Sequence, residues 1–271
     1  MALESENKLT PEAAQKLQNF FGAFKKSQIP LLLLDYDGTL APFRVNRFTA
    51  TPWAGVRPLL QQIQNHAHTR MAVVTGRPAA EIAPLLKLDR PLEVWGLHGA
   101  EHLSPDGRRE LEQAPAATQA RLDELKQHLR RDSLGGLFED KANGAVMHWR
   151  GIPRKKAERI EQRTRALFEP LAQLPGLTLL NFEAGLELRA GRDKGGAIEA
   201  IVAGTQSSGP VAFLGDDLTD EAGFCAVNNA DRPHLSVLVR RSLRETSADV
   251  WLSPPRDVTD FLRRWIEAET R

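Results

Sequence analysis

The stretch Ile29–Thr39, IPLLLLDYDGT, decides the fold of this 271-residue chain. Its four successive leucines leave no polar face, which is the pattern of a strand buried on both sides within a parallel sheet. The apolar run stops at Asp35, and a second carboxylate, Asp37, stands just before the turn-forming Gly38. The sequence therefore predicts a central strand, 29–34, whose carboxyl end opens into an acidic loop.

Regions on both sides of this stretch predict the two halves of an α/β core. The first half has expected helices at 11–25, 56–65 and 78–87, and a second strand at 70–74. The second half has an expected helix at 195–202, a strand at 210–214, a helix after Asp220, strands near Leu235 and Val250, and a last helix from about Val258. Alternation of this kind is typical of a parallel sheet with covering helices.

The region between these halves departs from that alternation. It predicts helices at 113–131 and 155–171 and strands near Phe138, Val146, Thr178 and Leu186. We therefore expect residues 1–100 and 188–271 to form the core and residues 101–187 to form an inserted α+β domain.

Composition excludes several classes of partner. Lys and Arg number 36 against 35 Asp and Glu, a net charge of +1, so we expect neither nucleic acid nor a membrane as partner. No apolar run approaches the roughly 20 residues of a bilayer span. Met1–Lys8 lacks the apolar segment of a secretory signal, and the single Cys225 cannot form an internal disulfide, so we expect a cytoplasmic protein. We also expect a monomer or weak oligomer, with Cys225 in the core.

Acidic groups follow two of the predicted strands. Asp35 and Asp37 follow the first, and Asp216, Asp217 and Asp220 lie in the loop after the strand at 210–214. Strand ends of a parallel sheet meet at one edge, where like carboxylates would repel one another unless a cation held them. Oxygen ligands without a His or Cys cluster favour Mg²⁺. The alternative is an ordinary polar turn, since Asp-Gly is a common turn signal.

Two further positions suit a phosphate group. Thr75 follows the strand at 70–74 and offers a hydroxyl at a helix start, while Lys194 begins another predicted helix and could neutralise phosphate charge. Taken singly, Thr75 could be a plain helix cap and Lys194 a solvated surface lysine. We also predict that Arg77, two residues after Thr75, binds the substrate.

Together the segments around Asp35, Thr75, Lys194 and Asp216 resemble the haloacid dehalogenase superfamily of phosphatases. The four segments follow one another along the chain in the same order as in that superfamily. The resemblance implies a Rossmann-like core with a cap, a nucleophile at Asp35 and a general acid and base at Asp37. It implies that Thr75 and Lys194 bind phosphate. It also implies a metal site whose residues are Asp35, Asp37, Asp216, Asp217 and Asp220, with Asp217 and Asp220 as supporting or structural carboxylates.

Longer segments resemble the trehalose-6-phosphate phosphatase family. These are DYDGTLAP at 35–42, GLHGAE at 96–101, GDDLTDE at 215–221 and, in the inserted region, Glu139, Lys141, HWR at 148–150, Glu183 and LELR at 186–189. The family usually has Tyr at position 149, Pro at position 190 and Ser at position 75, where this chain has Trp, Ala and Thr. The hydroxyl at position 75 is therefore kept.

The inserted region and one histidine supply candidate sugar ligands. Donors and acceptors that pair with sugar hydroxyls are predicted at Glu139, Lys141, His148, Arg150 and Glu183. The alternative for the charged residues is an exposed, salt-bridged strand surface. The alternative for His148 and Arg150 is a packing or cap-closing role.

His98 is predicted to line the cleft near the phosphate, with a structural turn as the alternative.

The expected function is Mg²⁺-dependent hydrolysis of trehalose 6-phosphate. Other phosphorylated disaccharides or glycosides, a sugar phosphomutase, an Asp-x-Asp glycosyltransferase and a sugar-phosphate sensor remain as alternatives.

Overall fold

The computed structural model describes residues 9–25, 28–65, 68–132, 135–141, 143–206 and 208–270. The Met1–Lys8 segment, expected to carry no secretory signal, lies outside them. The contacts divide the chain into two compact units. The first unit runs to Arg109 and resumes at Lys194–Asp216 and from Asp220 onward, and the second comprises Glu110–Asp193 with Asp217–Thr219.

An eight-stranded sheet contains all the strands of the first unit and ends with the strand Arg109–Leu111, which crosses the boundary into the second unit. Its strands are β1 Leu31–Leu34, β2 Arg70–Val74, β3 Glu93–Gly96, β4 Glu101–Leu103, β5 Arg109–Leu111, β10 Val211–Gly215, β11 His234–Val239 and β12 Val250–Leu252. Their order across the sheet is β12-β11-β10-β1-β2-β3-β4-β5. The six strands from β12 to β3 run parallel, and β4 pairs antiparallel with β3. The carboxyl ends of the parallel strands therefore share one edge, which we call the carboxyl edge.

Both faces of β1 are buried, as the leucine run predicts. Leu32 and Leu34 belong to one apolar cluster, and Leu31 and Leu33 belong to a second cluster on the opposite face. The helices of this unit are α1 Pro11–Gly22, α2 Val56–Asn65, α3 Ile82–Leu86, α6 Lys194–Ala203, α7 Glu221–Asn228 and α8 Arg256–Glu269. Such two-sided covering is what a central parallel sheet requires.

The second unit has its own four-stranded sheet. Its strands are β6 Phe138–Lys141, β7 Gly144–His148, β8 Leu177–Phe182 and β9 Gly185–Ala190, in the antiparallel order β6-β7-β9-β8. Two helices, α4 Ala116–Arg131 and α5 Arg154–Ala172, bury apolar residues in the same cluster as one face of this sheet. The expected α/β class with a separate α+β region is confirmed.

Several expectations differ from the structure. The chain passes from one unit to the other near Arg109 and Asp193, whereas the expected boundaries were near residues 100 and 187, because β4 extends the large sheet and β9 continues the small one to Ala190. The helix expected at 78–87 begins as a 3₁₀ turn before α3. The expectation that Cys225 lies in the core is wrong, because it is exposed on α7. Among the described residues, no helix has both the length and the apolar character needed to cross a bilayer.

Candidate active site

Three buried aspartates meet at the carboxyl edge. Asp35 follows β1, and Asp216 and Asp220 follow β10; one carboxylate oxygen from each lies within 4.8 Å of the others. A Cβ on Gly38, whose φ is +85°, would lie 2.0 Å from Asp216 Oδ2. Only glycine therefore leaves room for the two acidic loops to converge.

Lys194 is the cation that balances this cluster. Its Nζ donates to Asp35 Oδ1 at 2.7 Å and to Asp220 Oδ1 at 2.6 Å, and the side chain is 3% exposed. The surface-lysine alternative is therefore wrong. Burial lowers the pKa of Lys194, but the charges of Asp220 and Asp35 outweigh that effect and raise it. Lys194 stays protonated at neutral pH.

The surroundings of Asp35 shift the pKa of its carboxyl group. Burial raises its pKa to about 7; Lys194 opposes this shift, and the charge of Asp220 adds to it. A cation near Asp35 would favour the ionised form, which is the form that can act as a nucleophile.

The donor set suits Mg²⁺, because all the clustered ligand atoms are carboxylate oxygens. Asp220 is already engaged at both oxygens, by Lys194 and by the Asp216 N–H at 2.9 Å. Asp220 therefore holds Lys194 and the backbone of Asp216 in place. Asp217 is partly exposed and does not belong to the cluster.

The strand end after β2 carries the predicted hydroxyl. Thr75 is 1% exposed, and its Oγ1 accepts the Arg77 N–H at 3.2 Å. Arg77 is not free to meet a phosphate, because its Nε and Nη2 donate to the two oxygens of Asp37 at 2.5 and 2.6 Å. The Thr75 hydroxyl thus contacts the backbone of its own loop, whereas the Arg77 guanidinium is bound to a carboxylate of another loop.

His98 lies beside the Thr75 loop. Leu97 and His98 have φ values of +49° and +58°, which are unusual for residues with a Cβ, and the His98 N–H donates to the Thr75 carbonyl at 2.7 Å. A Cβ on Gly76 would lie 2.6 Å from His98 Nε2. The imidazole therefore packs against the backbone of Gly76, at the carboxyl edge.

In the second unit, the remaining predicted residues group around one face of the small sheet. Cross-strand register places Glu139, Val146 and Glu187 on the same face. Lys141, His148 and Arg189 are two residues further along their strands and share it. Adjacent to this polar sheet face, Glu183 lies in the turn between β8 and β9 and is exposed, as is Arg150 after β7.

A hydrogen bond and an ion pair link members of the polar sheet face. His148 Nε2 lies 2.8 Å from Glu139 Oε2, and Lys141 Nζ donates to Glu187 Oε2 at 2.9 Å. Burial lowers the pKa of Arg189 to about 10, and the charge of Glu187 opposes this shift. These carboxylates and cations can bind sugar hydroxyls in pairs.

Three residues that hydrogen-bond to parts of the candidate site were not predicted from the sequence. Glu101 accepts the Ala79 N–H at 2.7 Å, Arg240 donates to the Asp216 carbonyl at 3.3 Å, and Glu187 holds Lys141. Alternation in Leu186–Arg189 is a signal that could have identified Glu187, since one face of that strand is polar. Arg240 directly follows β11, so a strand-end search that included basic residues would have found it.

Comparisons with known proteins agree with this architecture. The trehalose-phosphatase family model matches residues 33–253. The trehalose-phosphate phosphatase of Mycobacterium marinum is 31% identical over 250 residues, which cover 87% of this chain and 61% of that protein. The maize trehalose 6-phosphate phosphatase RA3 is 29% identical over 276 residues, 94% of this chain and 74% of that protein. The corresponding Mycobacterium leprae protein is matched over 57% of its length, so the chain spans about three-fifths of these mycobacterial relatives.

Solved structures show the same fold. Trehalose-6-phosphate phosphatase from Aspergillus fumigatus superposes with a TM-score of 0.70 at 24% identity, covering 95% of this chain and 98% of that one. A haloacid dehalogenase-like hydrolase from Bacillus subtilis superposes with a TM-score of 0.61 at 17% identity, covering 86% and 98%. Because the family model matches residues 33–253, which is most of its length, the chain belongs to the trehalose-phosphatase family.

Proposed function

We propose that this chain is a Mg²⁺-dependent phosphatase that hydrolyses trehalose 6-phosphate to trehalose and phosphate through an aspartyl phosphate on Asp35. The observation that carries the proposal is the buried contact of Asp35 with Lys194, beside Asp216, whose carboxylate packs against Gly38. Membership of the trehalose-phosphatase family favours this reaction over the glycosyltransferase and sensor alternatives.

In the first half-reaction, Asp35 attacks phosphorus and the bond from phosphorus to the sugar oxygen breaks. The electron pair goes to that oxygen, which takes a proton from Asp37. Lys194 is held within hydrogen-bond distance of Asp35 and offsets charge on the phosphoryl oxygens, while Thr75 offers its hydroxyl to them.

In the second half-reaction, a water molecule attacks the acyl phosphate. Asp37 takes a proton from that water, the bond from phosphorus to the Asp35 oxygen breaks, and Asp35 returns as a carboxylate. Mg²⁺, held by carboxylates of Asp35 and Asp216 and by the Asp37 carbonyl, would supply further charge compensation at the phosphoryl group. Asp220 supports this arrangement through Lys194 and the Asp216 N–H.

Sugar recognition is assigned to the polar residues that the family resemblance points to. Glu139, Lys141, His148, Arg150 and Glu183 would bind hydroxyls in the second unit. In the first unit, His98, packed on Gly76, would contact the substrate near its phosphate. The mixed donors and acceptors of the polar sheet face suit an uncharged disaccharide better than a second anion.

The test measures phosphate release from trehalose 6-phosphate, sucrose 6-phosphate, glucosylglycerol phosphate and hexose monophosphates in Mg²⁺. We expect trehalose 6-phosphate to have the highest kcat/KM, and Asp35→Asn to lower turnover by about 10⁴-fold or more with an unchanged fold. Substantial activity in Asp35→Asn, or an unchanged rate after EDTA and dialysis, would refute the mechanism. Phosphate returned to another sugar hydroxyl, detected by NMR, would identify a phosphomutase instead.

A further inference from the structure

The carboxylate of Asp37 is bound by a buried arginine, Arg77, which lies 40 positions away in the chain. Arg77 binds it with a two-point fork, in which Nε and Nη2 each reach a different carboxylate oxygen. Arg77 is 6% exposed, and the Asp37 side chain is 25% exposed. The donor is therefore buried, while the acceptor still reaches solvent.

Arg77 is itself anchored on its other sides. Its Nη1 donates to the Arg47 carbonyl at 2.8 Å and lies 3.5 Å from Glu81 Oε2. The guanidinium carbon lies 5.4 Å from the centre of the Tyr36 ring. A guanidinium has five N–H donors, and these contacts use four of them. Arg77 thus has little capacity left for a substrate phosphate.

A bidentate fork fixes the plane of a carboxylate as well as its position. Each carboxylate oxygen has two lone pairs, so the fork leaves one on each oxygen of Asp37 for proton transfer. General acid–base catalysis needs the transferring groups about 2.6–3.2 Å apart, so a rotated carboxylate loses efficiency even when it remains in the site.

We infer that Arg77 is a positioning residue for the acid–base group Asp37 and acts on the reaction through that carboxylate rather than as a ligand of the substrate phosphate. This inference rests on the proposed function, because it needs Asp37 to carry the proton in both half-reactions. It replaces the substrate-binding role expected for Arg77 from the sequence.

The two roles predict different dependence on the leaving group. A sugar oxygen leaves poorly without a proton, whereas p-nitrophenolate is stable as an anion. A misaligned Asp37 should therefore slow phosphoryl transfer from trehalose 6-phosphate much more than transfer from p-nitrophenyl phosphate. Hydrolysis of the aspartyl phosphate needs Asp37 as a base with either substrate. It should become the slow step with the aryl ester, so the phosphoenzyme should accumulate.

The experiment compares wild type, Arg77→Lys and Arg77→Gln in Mg²⁺, with Arg57→Lys as the matched control. Arg57 is a partly buried arginine that donates to the carbonyls of Leu85 and Leu86. Lysine keeps the charge at position 77 but loses the fork, and glutamine keeps a donor without the charge. Thermal unfolding of every variant verifies folding before the kinetics are compared.

We expect kcat for trehalose 6-phosphate to fall on the order of 10²-fold in Arg77→Lys. KM and the inhibition constant of inorganic phosphate should stay within about threefold of wild type. Acid quenching during p-nitrophenyl phosphate turnover should trap more phosphoenzyme than in wild type or Arg57→Lys. In an Asp37→Asn background, Arg77→Lys should add little, because both substitutions act on one carboxylate.

A parallel rise in KM and in the phosphate inhibition constant for both substrates, without phosphoenzyme accumulation, would overturn the inference and make Arg77 a phosphate ligand. Equal loss of kcat/KM, which reports the phosphoryl-transfer step alone, with both substrates and additivity with Asp37→Asn would also overturn it. If no phosphoenzyme forms in any protein and Asp35→Asn remains active, the proposed function fails instead. The two failures are therefore distinguishable.

Discussion

The carboxyl edge of the large sheet and the polar face of the small sheet both collect charged side chains, but they hold them differently. At the carboxyl edge, Asp35, Asp220 and Lys194 are at most 5% exposed, and both aspartates are bound to the lysine. On the polar sheet face, the side chains of His148 and Glu139 are 43% and 51% exposed. The first region can orient a reacting group, while the second can exchange its partners for sugar hydroxyls at little cost.

The largest expected effect is at the buried ion cluster. Lys194→Met should lower the free energy of unfolding by about 3–5 kcal/mol, because Asp35 and Asp220 would be left buried without their cation. Urea unfolding measures this loss. Lys155→Met, at an exposed position on α5, is the control and should change stability by less than about 0.5 kcal/mol. Equal effects of the two substitutions would remove the contrast between the regions.

Stability should also respond to pH at Asp35. Burial raises its folded pKa to about 7, above the ordinary value of an aspartate, so the folded state binds the proton more tightly than the unfolded one. This contribution to stability is complete below about pH 4 and is lost as the pH rises through 7. In EDTA, Asp35→Asn should therefore gain stability over wild type as the pH rises from about 5 to about 8.

Mg²⁺ provides the control for that pH experiment. A cation that binds the folded site stabilises it, and wild type, with its ligand carboxylate intact, should gain more than Asp35→Asn. Thermal unfolding with and without Mg²⁺ at each pH measures both effects. A difference between the two proteins that does not vary with pH would show that the carboxyl group of Asp35 does not titrate in this range.

At the polar sheet face the expected effect is on substrate preference. Glu139→Ala and Glu183→Ala should each raise KM for trehalose 6-phosphate by roughly 10-fold, since each removes hydrogen bonds of about 1.5 kcal/mol. KM for p-nitrophenyl phosphate should hardly change. Glu158→Ala, which removes an exposed glutamate paired with Arg154, is the matched control. Equal changes for both substrates would argue against sugar contacts.

The smallest expected effect is on the stability of that same face. His148→Gln should change the free energy of unfolding by less than about 1 kcal/mol, because its partner Glu139 is half exposed and stays hydrated. Urea unfolding under the conditions used for Lys194→Met makes the two numbers comparable. A loss as large as that of Lys194→Met would mean that the pair belongs to the structural framework.

Sequence patterns were sufficient to predict which principal chemical groups lie at the carboxyl edge. Asp35, Thr75 and Asp216 each follow an apolar strand, and parallel topology brings such positions together. Some helices and strands, such as α2 and β2, were predicted with their observed ends. These features depend on residues close together in the chain.

Short, charged strands were not predictable in this way. β3 begins with Glu93, which reads as a surface residue, yet it is buried and held by Arg70 at 2.8 Å and by Trp95 Nε1 at 3.0 Å. Burial alone would raise the pKa of Glu93, but the hydrogen bonds and charge of Arg70 outweigh it and lower the pKa. The strand therefore depends on a partner that its own residues do not indicate.

The chain by itself determined which chemistry is present, because acidic, hydroxyl and ammonium groups occur at strand and helix ends in a recognisable order. Tertiary structure decided which group holds which. Lys194 meets Asp35 across 159 positions, and Arg77 meets Asp37 across 40. Such pairings arise only when sheet order and loop packing bring distant side chains within hydrogen-bond distance, and no local pattern encodes that distance.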